Sequence, residues 1–448
     1  MTATQTTRRA PGAPIADLDD VARYLLTELP SSGGTVMTAA AGRRRARMLL
    51  SLLGSPQDSM RTVHVAGTAG KGSVSAFVTA LLRAHGHTVG TYLSPHAHTL
   101  LERFLLDGAP APGHAVAAAL DAVRHQERVV SQGSLGQVTM FEAATAAAFR
   151  LFSERAVDYA VIETGLGGSY DATNTVTRSD KLAVITAIGL DHTAVLGDTL
   201  PQIATQKAGI LPRSGTAFAL RGGPEVAATL AAQAALRDCR LEQLAAAELA
   251  ACLPRGLELA VPGEHQRVNA GLAVRAVRHL AARDGWRLDP RRTEQGLREA
   301  RLPGRWERRD WHGHPVILDG AHNAMKLASL ADTVARNWPG RAPVWVLACK
   351  QGKDLLAGVA ALAGNAGAVV ATQFRTEGQQ AGSAVPAPAA QIAAAAVHEG
   401  VRVIVAPGMA EALRRAVALS QPDLPVIVTG SFHAVADAGG VTRPVLSP

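Results

Sequence analysis

The stretch His64-Val65-Ala66-Gly67-Thr68-Ala69-Gly70-Lys71-Gly72-Ser73 follows a short apolar run and opens into the apolar segment Val74 to Arg83. Strand, glycine-rich turn, lysine, hydroxyl and helix, in that order, suit the binding of a polyphosphate. Glycines let the backbone approach closely and take φ values that other residues avoid. Amides at the start of the following helix add a concave anion site. Gly67, Thr68, Gly70 and Gly72 would then line the phosphates, Lys71 would reach the terminal ones, and the Ser73 hydroxyl would face Mg²⁺. The strict G-x-x-x-x-G-K-[ST] spacing is not met: Val65 stands at the first glycine, and Gly72 separates lysine from serine. The same residues would also make a glycine-rich turn at the mouth of a parallel sheet.

Of the 45 Lys and Arg residues only six are lysines: Lys71, Lys181, Lys207, Lys326, Lys350 and Lys353. Where arginine does the generic surface work, a lysine marks a place for a compact amine of tunable pKa. This singles out Lys71 and Lys207 in particular. Other polar clusters also end apolar runs: Ser94-Pro95-His96, Glu163, Asp191-His192, Asp319 to Asn323, Lys350 to Asp354, and Thr429 to Ser431. In open α/β sheets ligands bind beyond the carboxyl ends of strands. Any one of these clusters could be structural. Their recurrence after successive strands points to a cleft between two units.

The elements that must carry these residues alternate. Strands are predicted over 62–66, 90–93, 158–163 and 182–188, and helices over 17–29, 43–53, 74–85, 113–130, 141–155 and 200–208. Residues 222–253 read as alanine-rich helix, followed by helices over 265–283 and 293–300. Pro303-Gly304 then breaks the pattern, and strands follow at 315–319, 344–348, 368–372, 401–405 and 426–429. The fold class is α/β. A P-loop ATPase-type, mainly parallel sheet domain over 16–301 precedes a smaller doubly wound, Rossmann-like domain over 302–448. Residues 1–15 read as a disordered tail, and 376–390 as a mobile loop.

Composition excludes several classes. No apolar run reaches membrane-spanning length, and Arg8-Arg9 is followed by Ala10-Pro11-Gly12, not by the apolar core of an export signal. Three scattered cysteines fit a reduced, cytoplasmic compartment. The net charge of +8 is spread along the chain, with Arg43-Arg44-Arg45 its one run, so no nucleic-acid surface is expected. A mild positive field would suit an anionic small molecule.

Taken in order, the motifs resemble those of the folylpolyglutamate synthase and dihydrofolate synthase family of the Mur ligase superfamily. The segments that carry the resemblance are 64–73, Ser94-Pro95-His96 with Glu102-Arg103, Phe141-Glu142, Glu163 to Asn174, Gly189 to Thr193, and Leu196 to Leu200. Lys207 to Ile210, Gly263 to Ala270, Pro303-Gly304-Arg305 and Asp319 to Asn323 continue them. The resemblance implies an ATP-dependent amide ligase that activates an acceptor carboxylate as an acyl phosphate and couples it to L-glutamate. It implies Ser73, Glu163, His192 and a CO₂-derived carbamate on Lys207 as ligands of two Mg²⁺ ions. Lys71, Lys207, Arg305 and His322 would be catalytic, and Asn269, Arg305, Asp319 and His322 would join the phosphate loop in holding ATP. Ser94, His96, Phe141 and Asp171 would meet the acceptor; Lys350, Lys353, Asp354 and Ser431 would meet the amino acid. Small-molecule partners only, no membrane, and a monomer are expected.

The sequence departs from the family pattern at Ala69, Ala97, Ser169-Tyr170, Ala324 and Phe432-His433. The changes near Ser94–Ala97 and Ser169–Tyr170 lie where the family's pterin-bearing substrate is expected. They leave open a ligase acting on a non-folate carboxylate. A non-catalytic nucleotide-binding protein is the other alternative.

Overall fold

The computed structural model describes residues 15–31, 36–375 and 384–445. An eight-stranded sheet is built from β1 (Arg61–Ala66), β2 (Val89–Tyr92), β3 (Phe104–Leu106), β4 (Ala109–Pro110), β5 (Tyr159–Glu163), β6 (Leu182–Ile185), β7 (Thr216–Leu220) and β8 (Arg240–Leu244), in the order β4-β3-β2-β5-β1-β6-β7-β8. A seven-stranded sheet follows from β9 (Glu307–Trp311), β10 (His314–Leu318), β11 (Val344–Leu347), β12 (Ala368–Ala371), β13 (Val403–Val405), β14 (Val426–Thr429) and β15 (Arg443–Pro444), in the order β13-β12-β11-β14-β10-β9-β15. Strands β2, β5, β1, β6, β7 and β8 run parallel, as do β13, β12, β11, β14 and β10; the antiparallel pairs lie at the edges. The central strands are buried along nearly their whole length because helices cover both faces.

The register fixes the site. Val65 of β1 pairs with Glu163, the last residue of β5, and Ala66 pairs with Ile185 of β6. The glycine-rich turn therefore leaves the sheet between two strands that end beside it. The helix Lys71–Ala84 then turns back with Phe77, Val78, Leu81 and Leu82 fully buried. At about 1.5–3 kcal/mol for each large apolar side chain, that burial anchors a helix whose N-terminus carries no side-chain cap. The helices Glu264–Asp284 and Pro290–Glu299 pack against it.

Several sequence expectations need correction. The stretch 222–253 is not continuous helix: it is helix Pro224–Ala235, strand β8 and helix Ala246–Ala251. Strand β7 was also unforeseen. The alanine-rich helices on either side hid β8, Arg-Leu-Glu-Gln-Leu, whose side chains are half-exposed and carry no apolar run. Strands β9 and β15 likewise lack an apolar pattern, β15 forming the sheet edge and β9 lying next to it. The expected tail falls outside the described residues except for Ile15, which is buried, its amide donating to Asp121 at 3.0 Å. Of the loop expected over 376–390, residues 376–383 lie outside the described residues. The remainder is fastened: Gln351 N donates to Val385 O and Ala387 N to Cys349 O, both at 2.8 Å, and helix Ala389–His398 begins there. Small residues read as loop in sequence, but here Ala384, Ala387 and Ala389 are buried.

Candidate active site

The carboxyl ends of strands from both sheets open onto one cleft of about 370 Å³, within the usual range for a small-molecule site. Its floor is the glycine-rich turn. Thr68 N and Ala69 N both donate to Ala187 O, at 2.7 and 3.2 Å, and Thr186 Oγ1 donates to Ala69 O at 2.7 Å. These bonds tie the turn to the end of β6. The amides of Lys71, Gly72 and Ser73 open the next helix, where no intrahelical carbonyl is available to them. Gly70 has φ +91°, and a Cβ there would lie 2.5 Å from Asn269 Oδ1, so only glycine fits. The buried Asn269 stands over this turn, its amide nitrogen bonded to Gln266 at 3.1 Å.

The far sheet supplies the roof. Pro303-Gly304-Arg305 enters β9, and the chain is pinned on both sides of the arginine. Asp319 accepts from Trp306 N at 3.0 Å and from Ala321 N at 2.9 Å; burial pushes its carboxyl pKa up. Trp306, with φ +50°, is buried and stacks on Trp338 at 5.9 Å. The Arg305 guanidinium lies 5.3 Å over the Phe432 ring. It also lies against Gly72: a Cβ on that glycine would collide with Arg305 Nη2 and sit 3.3 Å from Glu163 Oε2. Phosphate turn, carboxylate and far-sheet arginine thus meet at one point.

Asp191 links the two halves. It accepts from Lys353 Nζ at 2.8 Å and Asn323 Nδ2 at 2.9 Å, while Lys326 Nζ and His322 Nε2 stand at 4.0 and 3.9 Å. Burial acts to raise its carboxyl pKa, but His192, Lys353 and Lys326 together hold it well below the usual range. His322 Nδ1–H donates to Gly320 O at 2.8 Å, leaving Nε2 to accept from Lys326 Nζ at 3.0 Å. Burial, then Lys71, lowers the Lys326 pKa to about 7. The cleft carries a clear positive excess. Lys326 and Asp191 were not assigned roles from sequence, although the scarcity of lysine had marked the first.

Lys207, buried near the end of helix Leu200–Lys207, donates to Gly67 O at 2.8 Å, and Lys71 donates to the same oxygen at 3.3 Å. Burial, then the charge of Lys71, lowers the Lys207 pKa to about 7. Glu163 is buried and accepts from Ser94 N at 3.1 Å; Ser73 is buried at the start of its helix. His192 takes φ +52°. Its ring is half exposed; partial loss of solvation, then the neighbouring lysines, lower its pKa to about 4 against the pull of Asp191. Among the described residues no three His, Cys, Asp or Glu side chains form a ready-made metal cage. One carboxylate with one hydroxyl still fits Mg²⁺, which retains waters and draws its remaining ligands from phosphate.

Gly67 to Ser73, Ser94, Glu163, His192, Lys207, Asn269, Arg305, Asp319 and His322 all line this cleft. Lys353 reaches it through Asp191. The other sequence-selected residues do not line it. His96 is buried with Nδ1 accepting from Arg103 at 2.9 Å. The Phe141 ring packs under Gly165. Asp171 is buried and accepts from Leu166 N at 2.7 Å and Thr173 N at 3.0 Å, shaping the Glu163–Asn174 loop. Asp354 and Ser431 cap the helices Leu355–Ala363 and Phe432–Gly439. Lys350 lies beside Pro386 in an isolated bridge. The arginine run is not a surface patch either: Arg45 makes a two-bonded buried pair with Glu142 at 2.7 and 2.8 Å, and Arg43 donates to Ser169 O at 2.6 Å.

Comparison with known proteins agrees with this arrangement. Residues 304–432 match the family model described as Mur ligase, glutamate ligase domain. The chain is 32% identical over 412 residues to the folylpolyglutamate synthase of Lacticaseibacillus casei, covering 87% of this chain and 92% of that protein. It is 35% identical over 315 residues to a dihydrofolate synthase/folylpolyglutamate synthase of Bacillus subtilis, covering 66% of this chain and 73% of that one. Among solved structures, the Mycobacterium tuberculosis folylpolyglutamate synthase complexed with ADP superposes with a TM-score of 0.82 at 30% identity, covering 95% of this chain and 99% of that chain. The E. coli protein FolC, solved with DHPP and ADP, gives 0.79 at 26% identity, covering 97% and 99%.

Proposed function

The chain belongs to the folylpolyglutamate synthase/dihydrofolate synthase family of the Mur ligase superfamily, and from that premise we propose that it is an ATP-dependent ligase joining L-glutamate to the carboxylate of a folate-type acid. The observation that carries the reading is the meeting at Gly72 of the phosphate turn, the Glu163 carboxylate and the Arg305 guanidinium. We read 16–301 as the ATP-binding domain and 302–448 as the second domain, so that the site needs both.

The reaction brings anions together, and its catalysis is chiefly positioning and charge neutralisation. The acceptor carboxylate attacks the γ-phosphorus of ATP; the bond to the β-phosphate oxygen breaks, leaving ADP and an acyl phosphate. The glutamate amine then attacks the acyl carbon, phosphate leaves with the C–O bonding pair, and the amine proton passes to solvent. Lys71 and the amides of the first helical turn bind phosphates. Arg305, held by the Gly304 and Trp306 backbone, faces the transferring group. His322 and Asp319 shape the roof over the nucleotide. The apolar end of the cleft, lined by Val261, Pro262, Val268 and Leu330, suits a flat base. Lys353, Lys350 and the caps Asp354 and Ser431 support an amino-acid pocket at the ends of β11 and β14. Ser94 supports an acceptor entrance, with His96, Phe141 and Asp171 behind it as shaping groups.

Ser73, Glu163 and His192 would hold Mg²⁺, which neutralises phosphate charge when bound. Lys207 is buried with a pKa near 7, so a large share of it is the neutral amine that CO₂ requires. Its carbamate would add an anionic oxygen pair for a second Mg²⁺. The test is ADP release with Mg-ATP, bicarbonate and L-glutamate, using dihydropteroate, tetrahydrofolate or no acceptor, with product masses read in parallel. Acceptor-dependent ADP and a mass gain of one glutamate are expected. A folded, ATP-binding sample that turns over neither pterin overturns the folate assignment and points to another carboxylate.

A further inference from the structure

We propose that Lys326 is a second phosphate-binding lysine, contributed by the C-terminal sheet domain and meeting the terminal phosphate of the nucleotide opposite Lys71. The proposal rests on reading the cleft as an ATP site. Lys326 lies in the first turn of the helix Ala324–Asn337, where Asn323 caps the helix by accepting from Lys326 N at 3.0 Å. A cation in that turn opposes the helix dipole. Lysine ordinarily carries its ammonium out to water, yet this side chain is only 22% exposed and lines the cleft.

Its partners hold the ammonium without neutralising it. The Nζ bond at 3.0 Å goes to His322 Nε2, an imidazole nitrogen free to accept because Nδ1–H is committed to Gly320 O. Asp191 stands 4.0 Å away, with one oxygen taken by Lys353 and the other by Asn323. One carboxylate therefore serves Lys353, Lys326 and the two histidines. An ammonium has three donors, and the imidazole uses one. Lys71 and Arg305, the groups expected at the terminal phosphates, are near enough to repel Lys326. A polyphosphate turns each of those repulsions into a shared attraction. His322, just ahead of the helix cap, and Lys326, in the first turn, then act as a holder and a contact.

The test compares Mg-ADP with the Mg complex of the β,γ-methylene analogue of ATP, by calorimetric titration of the whole chain with no acceptor present. K326M is expected to weaken the analogue about tenfold or more and ADP by less than about threefold. K326R, which keeps the charge, is expected to recover part of the loss. Equal weakening of both nucleotides, or no change in either, overturns the proposal. If K326M melts below the parent, K326R carries the same comparison: an analogue-to-ADP ratio identical to the parent's in a folded K326R, beside an equal loss of both nucleotides in K326M, also overturns it. A parent chain that binds neither nucleotide would sink the ATP reading itself. A parent that binds both while K326M leaves their ratio intact would sink only the role of Lys326.

Discussion

At the scale of single residues, the backbone on either side of Arg305 is fixed more firmly than its side chain. Gly304 and Trp306 hold left-handed φ values, and Asp319 clasps Trp306 N. Replacing Arg305 with alanine should leave that clasp in place and remove charge only where we propose that the phosphoryl group is transferred. We expect kcat to fall by about 100-fold or more, with the affinity for an ATP analogue changing less than about fivefold; equal losses in both would argue against a role in the transferring step. Lys207→Arg should replace the reactive amine with a permanently charged guanidinium. Turnover in bicarbonate should drop by about 100-fold or more in a variant that still folds and binds Mg-ADP, and near-normal turnover would remove the carbamate from the scheme. The places of Lys71 and Lys207 in the cleft were legible in sequence because one sits in a local motif and both belong to a rare residue type. Asp354 and Ser431 were less so: the residues that cap helices are the same types that bind ligands, and the capping bonds they accept from Ala357 N and Ala434 N appear only in the fold.

At the scale of elements, one ion pair joins two helices and one cap. Glu142 receives both Arg45 bonds and also accepts from Thr139 N at 3.2 Å, completing the capping box of helix Met140–Glu154. The side chains are 10% and 6% exposed. Breaking such a pair from one side strands a buried charge, so Glu142→Gln should cost about 3–5 kcal/mol in denaturant unfolding. Adding Arg45→Met should return part of it, and a Glu142→Gln cost within error of zero would show that water reaches the pair. Sequence reading singled out both Arg45 and Glu142, the first as part of a basic run and the second within a motif, but their separation along the chain hid the contact. The central parallel strands were readable because burial on both faces leaves a plain apolar signature. Strand β7 was not, since Thr-Ala-Phe-Ala-Leu is too short and too rich in alanine to separate from helix by pattern, and β8 was not, since its edge position leaves Arg-Leu-Glu-Gln-Leu without a buried apolar face.

At the scale of the whole molecule, the polar links between the two sheets among the described residues converge largely on Asp191. His98 on the first half also bonds Glu307 of β9 at 2.7 Å. The cationic cleft makes stability depend on pH. Lys326 has a folded-state pKa of about 7 against 10.5 for the free group. A lysine with a lowered folded pKa penalises folding fully below the lower value, and the penalty fades as pH rises toward the higher one. The nucleotide-free protein should therefore gain melting temperature between about pH 7 and about pH 9, and K326M should show a shallower rise. Parallel slopes for the two proteins would mean that the ammonium is better solvated than its position implies. The two-sheet plan was legible from alternation alone. The sharing of one carboxylate by both halves was not, because Asp191, Asn323 and Lys353 come together only when the sheets are docked.

The Trp306–Trp338 stack gives this molecule an optical handle. The two indoles are nearly parallel, 5.9 Å apart and inclined by 20°, and one of them adjoins the arginine that reaches the phosphate turn. Transition dipoles so close couple, and the near-ultraviolet dichroism of such a pair varies steeply with separation and tilt. Any swing of the connecting segment as substrates arrive would thus register in the protein's own absorption, with no label attached, and Trp338→Phe would silence that signal while leaving Arg305 where it is.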